Sequence, residues 1–272
     1  MPFQLRCCVP GCHNSRSDTE LKEQERMSLQ GKAALVTGGG TGVGRATALM
    51  LAERGANVAV NYSRSADEAA QTASDIQALG VEGLAIQADV ASDAAVVAMV
   101  EQTVAAFGRL DIVVNSAGTT FFVDYDDLDG MKDEYWDRIL AVNLKGPFFV
   151  SRAAAPHLKA GGDGVIVHVS SLAGITGTGS SIAYAASKGA LNTITKSLAR
   201  TLAPEIRVNS VAPGPIDTRW MIGHEGFLQR AIDRSPVNRA ATPEDIAAGI
   251  LLLIENPIVT GEVLVMDSGC GL

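Results

Sequence analysis

The sequence predicts an α/β fold with a single doubly wound parallel β-sheet of seven strands and helices on both faces. Two observations lead to this fold class. From Lys32 onward, short runs of apolar and β-branched residues alternate with longer stretches of helical period, which is typical of a parallel sheet with covering helices. A glycine-rich segment also joins the first apolar run to the first helical stretch. We therefore expect a Rossmann-type arrangement.

The length and composition are consistent with one folded domain over residues 27–272. Of the 272 residues, 47% are hydrophobic and 19% are charged. Such a chain can bury a sizeable core, and nothing in its composition requires a second domain.

Seven short apolar runs are the predicted strands. Each is bounded by turn-forming or helical segments, and seven strands suit one doubly wound sheet. In chain order they are Ala33–Thr37, Asn57–Asn61, Gly83–Gln87, Ile112–Asn115, Val165–Val169, Arg207–Val211 and Glu262–Val265.

Helical periodicity fills most of the gaps between these runs. The predicted helices are Val43–Arg54, Ala66–Leu79, Ala94–Phe107, a longer segment around Trp136–Leu158, Ile182–Leu202 and Pro243–Ile254. The last one has a clear beginning, because Thr242 is a good N-cap residue, Pro243 suits the first helical position, and acidic residues follow near the positive end of the helix.

Residues 212–241 interrupt the alternation of strands and helices. This long segment follows the sixth predicted strand and is punctuated by proline and glycine. Long loops at the carboxyl ends of strands often cover ligands. We therefore predict that residues 212–241 form a lid over a substrate site.

Residues 1–26 differ in composition from the rest of the chain. They are polar and turn-rich, and we predict that they form a disordered extension. Cys7, Cys8 and Cys12 begin like a zinc site, but the second Cys and His pair that such a site requires does not follow. We predict neither a metal site nor a disulfide framework.

The charge distribution argues against nucleic acid and membrane partners. The formal net charge is -8, and the basic residues are scattered, so no basic patch would attract DNA, RNA or an anionic membrane. No apolar run reaches the roughly 18 to 20 residues that a membrane span needs, and the N-terminus lacks a secretory pattern. We predict a cytoplasmic protein.

The glycine-rich segment has the form of a phosphate-binding turn. Glycines stand at positions 38, 39, 40, 42 and 44, between the first strand and the first helix. Without side chains, such a turn lets the backbone approach a pyrophosphate at a helix N-terminus. The spacing is Thr-Gly-x-x-x-Gly-x-Gly and differs from the more familiar G-x-G-x-x-G.

Tyr184 and Lys188 indicate an enzyme. They stand four residues apart in a predicted helix, so the phenol and the ammonium lie on one face. A neighbouring ammonium lowers the pKa of a tyrosine, which then serves as a proton donor or acceptor. Ser171 precedes Tyr184 by thirteen residues, at the end of the fifth strand, and this spacing favours it over Ser170.

Together these segments resemble the short-chain dehydrogenase/reductase family, and most closely its 3-ketoacyl-carrier-protein reductase-like and sugar dehydrogenase-like members. The resemblance covers residues 28–272 in the family's order and spacing. Ser116 stands where the family's Asn-Asn-Ala-Gly motif has its second asparagine. The residues that carry the family resemblance are Thr37, Gly38, Gly42, Gly44, Asn115, Ala117, Gly118, Asn143, Ser171, Tyr184, Lys188, Pro213 and Gly214.

The resemblance implies a nicotinamide dinucleotide in a cleft at the carboxyl ends of the strands. Asp89 and Val90 would flank the adenine, and Thr218 would meet the nicotinamide amide. The full set of implied cofactor-binding residues is Thr37, Gly38, Thr41, Gly42, Val43, Gly44, Asn61, Tyr62, Ser63, Arg64, Asp89, Val90, Asn115, Ala117, Gly118, Tyr184, Lys188, Pro213, Gly214, Ile216 and Thr218.

The end of the second strand favours NADP(H). An acidic residue there would bind the ribose 2′-hydroxyl of NAD, but the sequence reads Asn61, Tyr62, Ser63, Arg64. Arg64 and Ser63 offer donors to a phosphate instead. NAD(H) stays an alternative, because many NADP-preferring members of the family carry a basic residue before Gly42 in the glycine turn, and this sequence does not.

The resemblance also implies a catalytic role for four residues. Tyr184 would exchange a proton with the substrate oxygen, Lys188 would lower the pKa of Tyr184 and bind the nicotinamide ribose, and Ser171 would hold and polarise the substrate oxygen. Asn143 would hold a water that links Lys188 to solvent. The hydride is the cofactor's chemistry, and the family relationship implies a homotetramer.

Large apolar residues and one histidine, in the lid and after the fourth strand, suggest an apolar substrate pocket. They are Phe121, Phe122, Trp220, Met221, His224 and Phe227, and packing of the lid against the body explains them equally well. We predict an NADP(H)-preferring oxidoreductase that interconverts a small ketone and a secondary alcohol. An NAD-dependent alcohol or sugar dehydrogenase, a carrier-protein reductase and a non-catalytic nucleotide sensor are the alternatives.

Overall fold

The computed structural model describes residues 29–272. The predicted extension over residues 1–26, with its three cysteines, lies outside the described residues. Within residues 29–272, no helix has the length and apolar character needed to cross a bilayer.

Seven parallel strands form one sheet, in the order β3-β2-β1-β4-β5-β6-β7. This confirms the predicted fold class, and the strand bounds agree with the predicted runs to within about two residues. The strands are β1 Ala33–Thr37, β2 Asn57–Tyr62, β3 Gly83–Gln87, β4 Ile112–Asn115, β5 Gly164–Val169, β6 Ile206–Pro213 and β7 Val263–Met266.

Helices cover both faces of the sheet. The α-helices are α1 Gly42–Glu53, α2 Ala66–Ala78, α3 Asp93–Phe107, α4 Asp133–Leu140, α5 Gly146–Gly161, α6 Ala173–Thr176, α7 Ile182–Leu202, α8 Glu225–Arg234 and α9 Pro243–Glu255. One core contains Leu51 of α1 and Ile250 of α9. The other contains Met99 of α3 and Leu158 of α5.

Two predicted segments have a different internal structure. The predicted helix around Trp136–Leu158 consists of α4, a π-helical turn Ala141–Lys145 and α5. The predicted lid contains a 3₁₀ turn, Arg219–Met221, and the whole of α8. A bridge between Ile216 and Ala241 closes the base of the lid.

The predicted beginning of the last helix is confirmed at α9. The Thr242 hydroxyl accepts a hydrogen bond from the Asp245 N–H at 3.2 Å, and the Asp245 carboxylate accepts one from the Thr242 N–H at 2.9 Å. This reciprocal pair is a capping box, which satisfies backbone donors that the first helical turn leaves unpaired.

Candidate functional site

The carboxyl ends of the strands open into a cleft of about 1170 Å³. It is lined by the glycine turn after β1, the ends of β2, β4 and β5, the first turns of α7, and the lid. In doubly wound sheets, ligands bind at this edge, where the strand order reverses. Here β1 lies between β2 and β4, so the cleft occupies that position.

The glycine turn needs its glycines for steric reasons. Gly38 has a φ of +63°, and a Cβ there would lie 3.0 Å from Ala117 Cα. A Cβ on Gly44 would lie only 2.3 Å from the carbonyl oxygen of Gly38. Gly42 has a φ of +51°, a left-handed conformation that glycine adopts without strain. The turn therefore brings bare backbone to the N-terminus of α1.

The first turn of α1 keeps donors available for an anion. Thr41 is the N-cap residue, but its side chain accepts no hydrogen bond from the helix, and no acidic residue lies in the first turn. Backbone N–H groups at a helix N-terminus attract phosphate groups. The site therefore fits the diphosphate of a dinucleotide.

A row of buried polar side chains supports the floor of the cleft. Thr37, Asn115 and His168 lie side by side on β1, β4 and β5. The Thr37 hydroxyl accepts hydrogen bonds from the N–H groups of Ser116 and Ala117, both at 3.1 Å. The Asn115 amide contacts His168 Nδ1 at 3.2 Å. Thr37 and Asn115 thus hold the β4 end in place and do not themselves line the cleft.

The end of β2 presents the residues expected to decide between the two cofactors. Asn61 is buried, and its amide donates to the carbonyls of Ile86 and Ala88, so its side chain has a packing role. Ser63 and Arg64 are exposed at the rim. Among residues 29–272, no carboxylate forms a direct ion pair with Arg64, although the Arg64 charge is near enough to help lower the pKa of Asp89.

Asp89 and Thr218 both line the cleft. Asp89 pairs with Arg138 at 2.9 Å and accepts a hydrogen bond from the Ala91 N–H at 3.0 Å. Burial raises the pKa of Asp89, but these hydrogen bonds outweigh burial and hold the pKa below its usual value. Thr218 faces the glycine turn, where a Cβ on Gly42 would lie 3.7 Å from its methyl group.

Helix α7 places Tyr184 and Lys188 in the cleft. Ser181 caps the helix by accepting a hydrogen bond from the Tyr184 N–H at 3.3 Å. Lys188 Nζ lies 5.7 Å from the centroid of the Tyr184 ring and donates to the Val169 carbonyl at 2.8 Å. The two side chains share one helix face, as the spacing predicts.

Burial dominates the acid–base properties of this pair. Burial lowers the pKa of Lys188 to about 8. Burial also raises the pKa of the Tyr184 phenol, and hydrogen bonding with Ser171 opposes this rise only in part. The direction for Tyr184 is therefore opposite to the one that the spacing to Lys188 predicts. The spacing gives the neighbour, but it does not give the desolvation, which favours the neutral phenol.

Ser171 and Ser170 have different surroundings. The Ser171 oxygen accepts a hydrogen bond from the Ala173 N–H at 3.2 Å, and the Ser171 side chain also hydrogen-bonds Tyr184 in the cleft. The buried Ser170 hydroxyl donates to the Lys188 carbonyl at 3.2 Å. Ser170 therefore packs α7 against β5, which supports the choice of Ser171.

Asn143 lies in the π-helical turn and is fully buried. Its side-chain oxygen accepts from the Thr119 N–H at 2.8 Å, and its amide donates to the Thr119 carbonyl at 2.9 Å and to Ser187 Oγ at 3.2 Å. The extra residue of a π turn is a common way to re-aim a side chain at a functional site. Asn143 thus fixes the chain beside Gly118 and does not line the cleft.

The lid contributes aromatic residues to the catalytic end. Trp220 meets Tyr184 edge to face, with ring centroids 6.4 Å apart. Phe122 lines the cleft and stacks on His224 of the lid at 3.5 Å. Phe121, in contrast, stacks on Tyr135 at 4.1 Å and does not line the cleft.

Most of the predicted site residues meet in this one cleft, while Thr37, Gly44, Asn115 and Asn143 support it from behind. Sequence reasoning missed several lining residues near the substrate end, because single serines, threonines and tyrosines in loops carry no spacing signal. They include Thr119, Thr120, Tyr125, Thr176, Thr178, Ser180 and Cys270. Within the described part of the chain, no group of three or more His, Cys, Asp or Glu side chains is placed to bind a metal.

Known proteins match most of the length of this chain. The family model described as Enoyl-(Acyl carrier protein) reductase matches residues 38–271. Versicolorin reductase 1 of Dothistroma septosporum is 39% identical over 261 residues, which cover 90% of this chain and 98% of that protein. The 3-oxoacyl-acyl-carrier-protein reductase of Staphylococcus aureus is 38% identical over 244 residues, which cover 88% of this chain and 97% of that protein.

A solved structure shows the same fold with a nucleotide. It is a short-chain dehydrogenase from Burkholderia cenocepacia in complex with NADP. Its TM-score to this chain is 0.83 at 38% identity, and the match covers 90% of this chain and 99% of the other. At 38% identity over nearly the full length of both chains, the similarity indicates a common family as well as a common fold.

Proposed function

The chain belongs to the short-chain dehydrogenase/reductase family, and from this premise we propose an NADP(H)-preferring oxidoreductase that interconverts a ketone and a secondary alcohol. The observation that carries the proposal is the convergence of Ser171, Tyr184 and Lys188 on one cleft that the glycine turn also lines. A proton donor, a cation and a hydroxyl beside a dinucleotide cradle are the groups that carbonyl reduction needs from a protein.

The residues that would hold the cofactor follow the cleft from the rim to the catalytic end. The N-terminus of α1 would hold the diphosphate. Asp89 and Val90 would flank the adenine, and Thr218 and Ile216 of the lid would lie at the nicotinamide end. Bound there, the cofactor supplies or accepts the hydride.

Tyr184 is the proposed proton donor in reduction and acceptor in oxidation. Because burial raises the pKa of Tyr184, the phenol holds its proton at neutral pH and can donate it to the carbonyl oxygen. The Ser171 hydroxyl donates a hydrogen bond to the same oxygen and polarises the carbonyl. The Lys188 ammonium stabilises the phenolate that develops as the proton leaves.

Asn143 is proposed to serve proton exchange behind Lys188. A Cβ on Gly118 would lie 3.6 Å from Asn143 Oδ1 and 3.9 Å from Lys188 Nζ, so the three groups border one small space. The Asn143 oxygen has a second lone pair beyond the one that the Thr119 N–H uses. A water held there would carry the proton from Lys188 onward.

The preference for NADP(H) is supported by Arg64. Its exposed guanidinium lies at the end of β2 without an ion-pair partner among residues 29–272, and guanidinium groups bind phosphate with two parallel hydrogen bonds. No carboxylate stands between Asn61 and Arg64 to repel the ribose phosphate.

The experiment combines binding and turnover in wild type and in Tyr184→Phe. We expect Tyr184→Phe to bind NADPH within about twofold of wild type and to lose at least about a thousandfold in kcat for ketone reduction, since general acid catalysis contributes on this order. Wild type should bind NADPH more tightly than NADH in fluorescence titrations. Near-normal turnover by Tyr184→Phe would contradict the proton-transfer role. Tighter binding of NADH would favour the NAD-dependent alternative.

A homotetramer is also part of the proposal. It rests on the family relationship, which implies an interface through the long helices that follow β4 and β5, here α5 and α7. Light scattering should give the mass of four chains, and a monomer mass would contradict the proposal.

A further inference from the structure

The lid places an indole ring on the catalytic tyrosine. Trp220 packs edge to face on Tyr184, with centroids 6.4 Å apart and an interplanar angle of 69°. Its far edge reaches the floor, where a Cβ on Gly118 would lie 3.5 Å from Trp220 Cη2. A carbonyl that approaches Tyr184 must therefore take a place against this indole.

Other flat or apolar side chains line the cleft near Trp220. Met221 and Phe227 come from the lid. Phe122 comes from the loop after β4, and His224 of the lid stacks on it at 3.5 Å with an interplanar angle of only 12°. This stack ties the lid to the loop after β4 and holds the Phe122 ring in one plane.

Three of the hydroxyl groups at this end of the cleft already have partners within the protein. Thr120 Oγ1 and Ser180 Oγ lie 2.5 Å apart. The Tyr125 hydroxyl donates to the Ser181 carbonyl at 3.3 Å. A polyhydroxylated substrate would need free donors and acceptors here, because buried hydroxyls without partners are costly.

The cost of admitting a substrate depends on its shape. Entry of any carbonyl next to Tyr184 disturbs the contact between Tyr184 and Trp220. A planar aromatic group restores an aromatic contact with the indole, whereas a saturated ring of the same size restores only dispersion contacts. The charged side chains of α8, Arg230, Asp233 and Arg234, line the same cleft but contribute opposite charges.

We propose that Trp220 is a specificity-determining residue and that the substrate is a ketone whose carbon skeleton includes a planar aromatic ring. This inference rests on the proposed function, because it assumes that Tyr184 acts on a carbonyl. It goes further by selecting an aromatic substrate over a sugar or an aliphatic chain.

The test compares 2-tetralone with trans-2-decalone. Both are bicyclic ketones with an unconjugated carbonyl, and they differ in the aromatic ring. With NADPH, wild type should show a kcat/KM for 2-tetralone that exceeds that for trans-2-decalone by about tenfold, the upper range of one aromatic pair. Trp220→Leu should bring the ratio to within about twofold, chiefly by loss of activity on 2-tetralone. Taking the ratio within each variant cancels any general effect on the lid.

A substitution at the other tryptophan, Trp136, provides the control and also allows ligand binding to be measured by fluorescence. The chain has two tryptophans, and Trp136 on α4 does not line the cleft. Trp136→Phe should keep the wild-type ratio and leave Trp220 as the sole tryptophan. In this variant 2-tetralone should quench the tryptophan fluorescence with a Kd about tenfold below that of trans-2-decalone.

Two outcomes would overturn the proposal. One is an equal loss on both ketones in Trp220→Leu, which would make Trp220 a packing residue of the lid. The other is equal binding of the two ketones in the fluorescence titration. Turnover of trans-2-decalone by wild type tests the proposed function separately, so failure of the aromatic preference is distinguishable from failure of the reaction.

Discussion

At the scale of single residues, the proposed chemistry depends on a lysine that the fold keeps buried. Lys188 is 4% exposed and has one backbone hydrogen bond, to the Val169 carbonyl. Burial disfavours an ammonium and lowers the pKa of Lys188 to about 8. The charge that supports proton loss from Tyr184 is therefore present at neutral pH and lost within the range of ordinary assays.

This pKa predicts an alkaline limit for ketone reduction. Below about pH 8 Lys188 is charged and stabilises the phenolate that develops on Tyr184. Above its pKa the ammonium loses its proton, so kcat/KM should fall by about tenfold per pH unit. A profile of kcat/KM from pH 6 to 10 at constant ionic strength checks this. In Lys188→Arg the guanidinium stays charged, so the residual activity should lack the decline.

Lys196 provides the matched control on the same helix. It is an exposed lysine of α7, so Lys196→Arg should leave the alkaline limit where it is in wild type. A wild-type decline that begins only near pH 10 would contradict the assignment. So would a limit in Lys188→Arg that lies at the wild-type pH.

The sequence predicts which residues form the site more reliably than it predicts their pKa values. Spacing was enough to bring Tyr184, Lys188 and Ser171 to one cleft, because the helix period and the strand order fix where their backbones lie. The pKa of Tyr184 depends on how many neighbours exclude water, which spacing does not report. The prediction that Lys188 lowers the pKa of Tyr184 below its ordinary value was therefore wrong, since burial raises it.

At the scale of elements, the strands were predictable and the irregular turns were not. The central strands β1, β4 and β5 are nearly continuous apolar runs and are almost fully buried, because helices cover both faces of a parallel sheet. The π turn over Ala141–Lys145 keeps an ordinary helical pattern in the sequence, and the paired hydrogen bonds of Asn143 with Thr119 join it to a distant loop. Tertiary contacts of this kind have no local signature.

Helix α8 was missed for a different reason. It is only ten residues long and has no fully buried residue, and Gly223 and Pro236 at its flanks favour a loop interpretation. Its position depends on contacts at the lid ends. These include the stack of His224 on Phe122 and the hydrogen bond from Ser235 Oγ to the Ser268 carbonyl at 2.6 Å.

At the scale of the whole molecule, a line of buried polar groups crosses the sheet. Thr37, Asn115, His168 and Ser210 are neighbours on β1, β4, β5 and β6, and all are 2% exposed or less. His168 Nε2 has no hydrogen-bond partner among the described residues. Burial, aided by the charge of Lys188, lowers the pKa of His168 from 6.5 to about 3.

This histidine predicts a loss of stability in acid. Between pH 6.5 and about 3, the unfolded chain binds a proton at position 168 and the folded chain does not. The stability is therefore fully present above pH 6.5 and is lost as the pH falls toward 3. Each pH unit in this window costs about 1.4 kcal/mol, so the free energy of unfolding should fall by about 2 to 3 kcal/mol between pH 6.5 and 4.5 from this group.

Urea denaturation at pH 7.0 and at pH 4.5 checks this contribution. His168→Asn keeps an acceptor for the Asn115 amide but cannot bind the proton, so the difference between the two pH values should shrink by about 2 kcal/mol relative to wild type. His157 pairs with Glu101 at the surface, and His157→Asn should leave the difference as in wild type. An unchanged difference in His168→Asn would show that His168 is protonated within the fold, and the buried row would then have to tolerate a charge between β4 and β6.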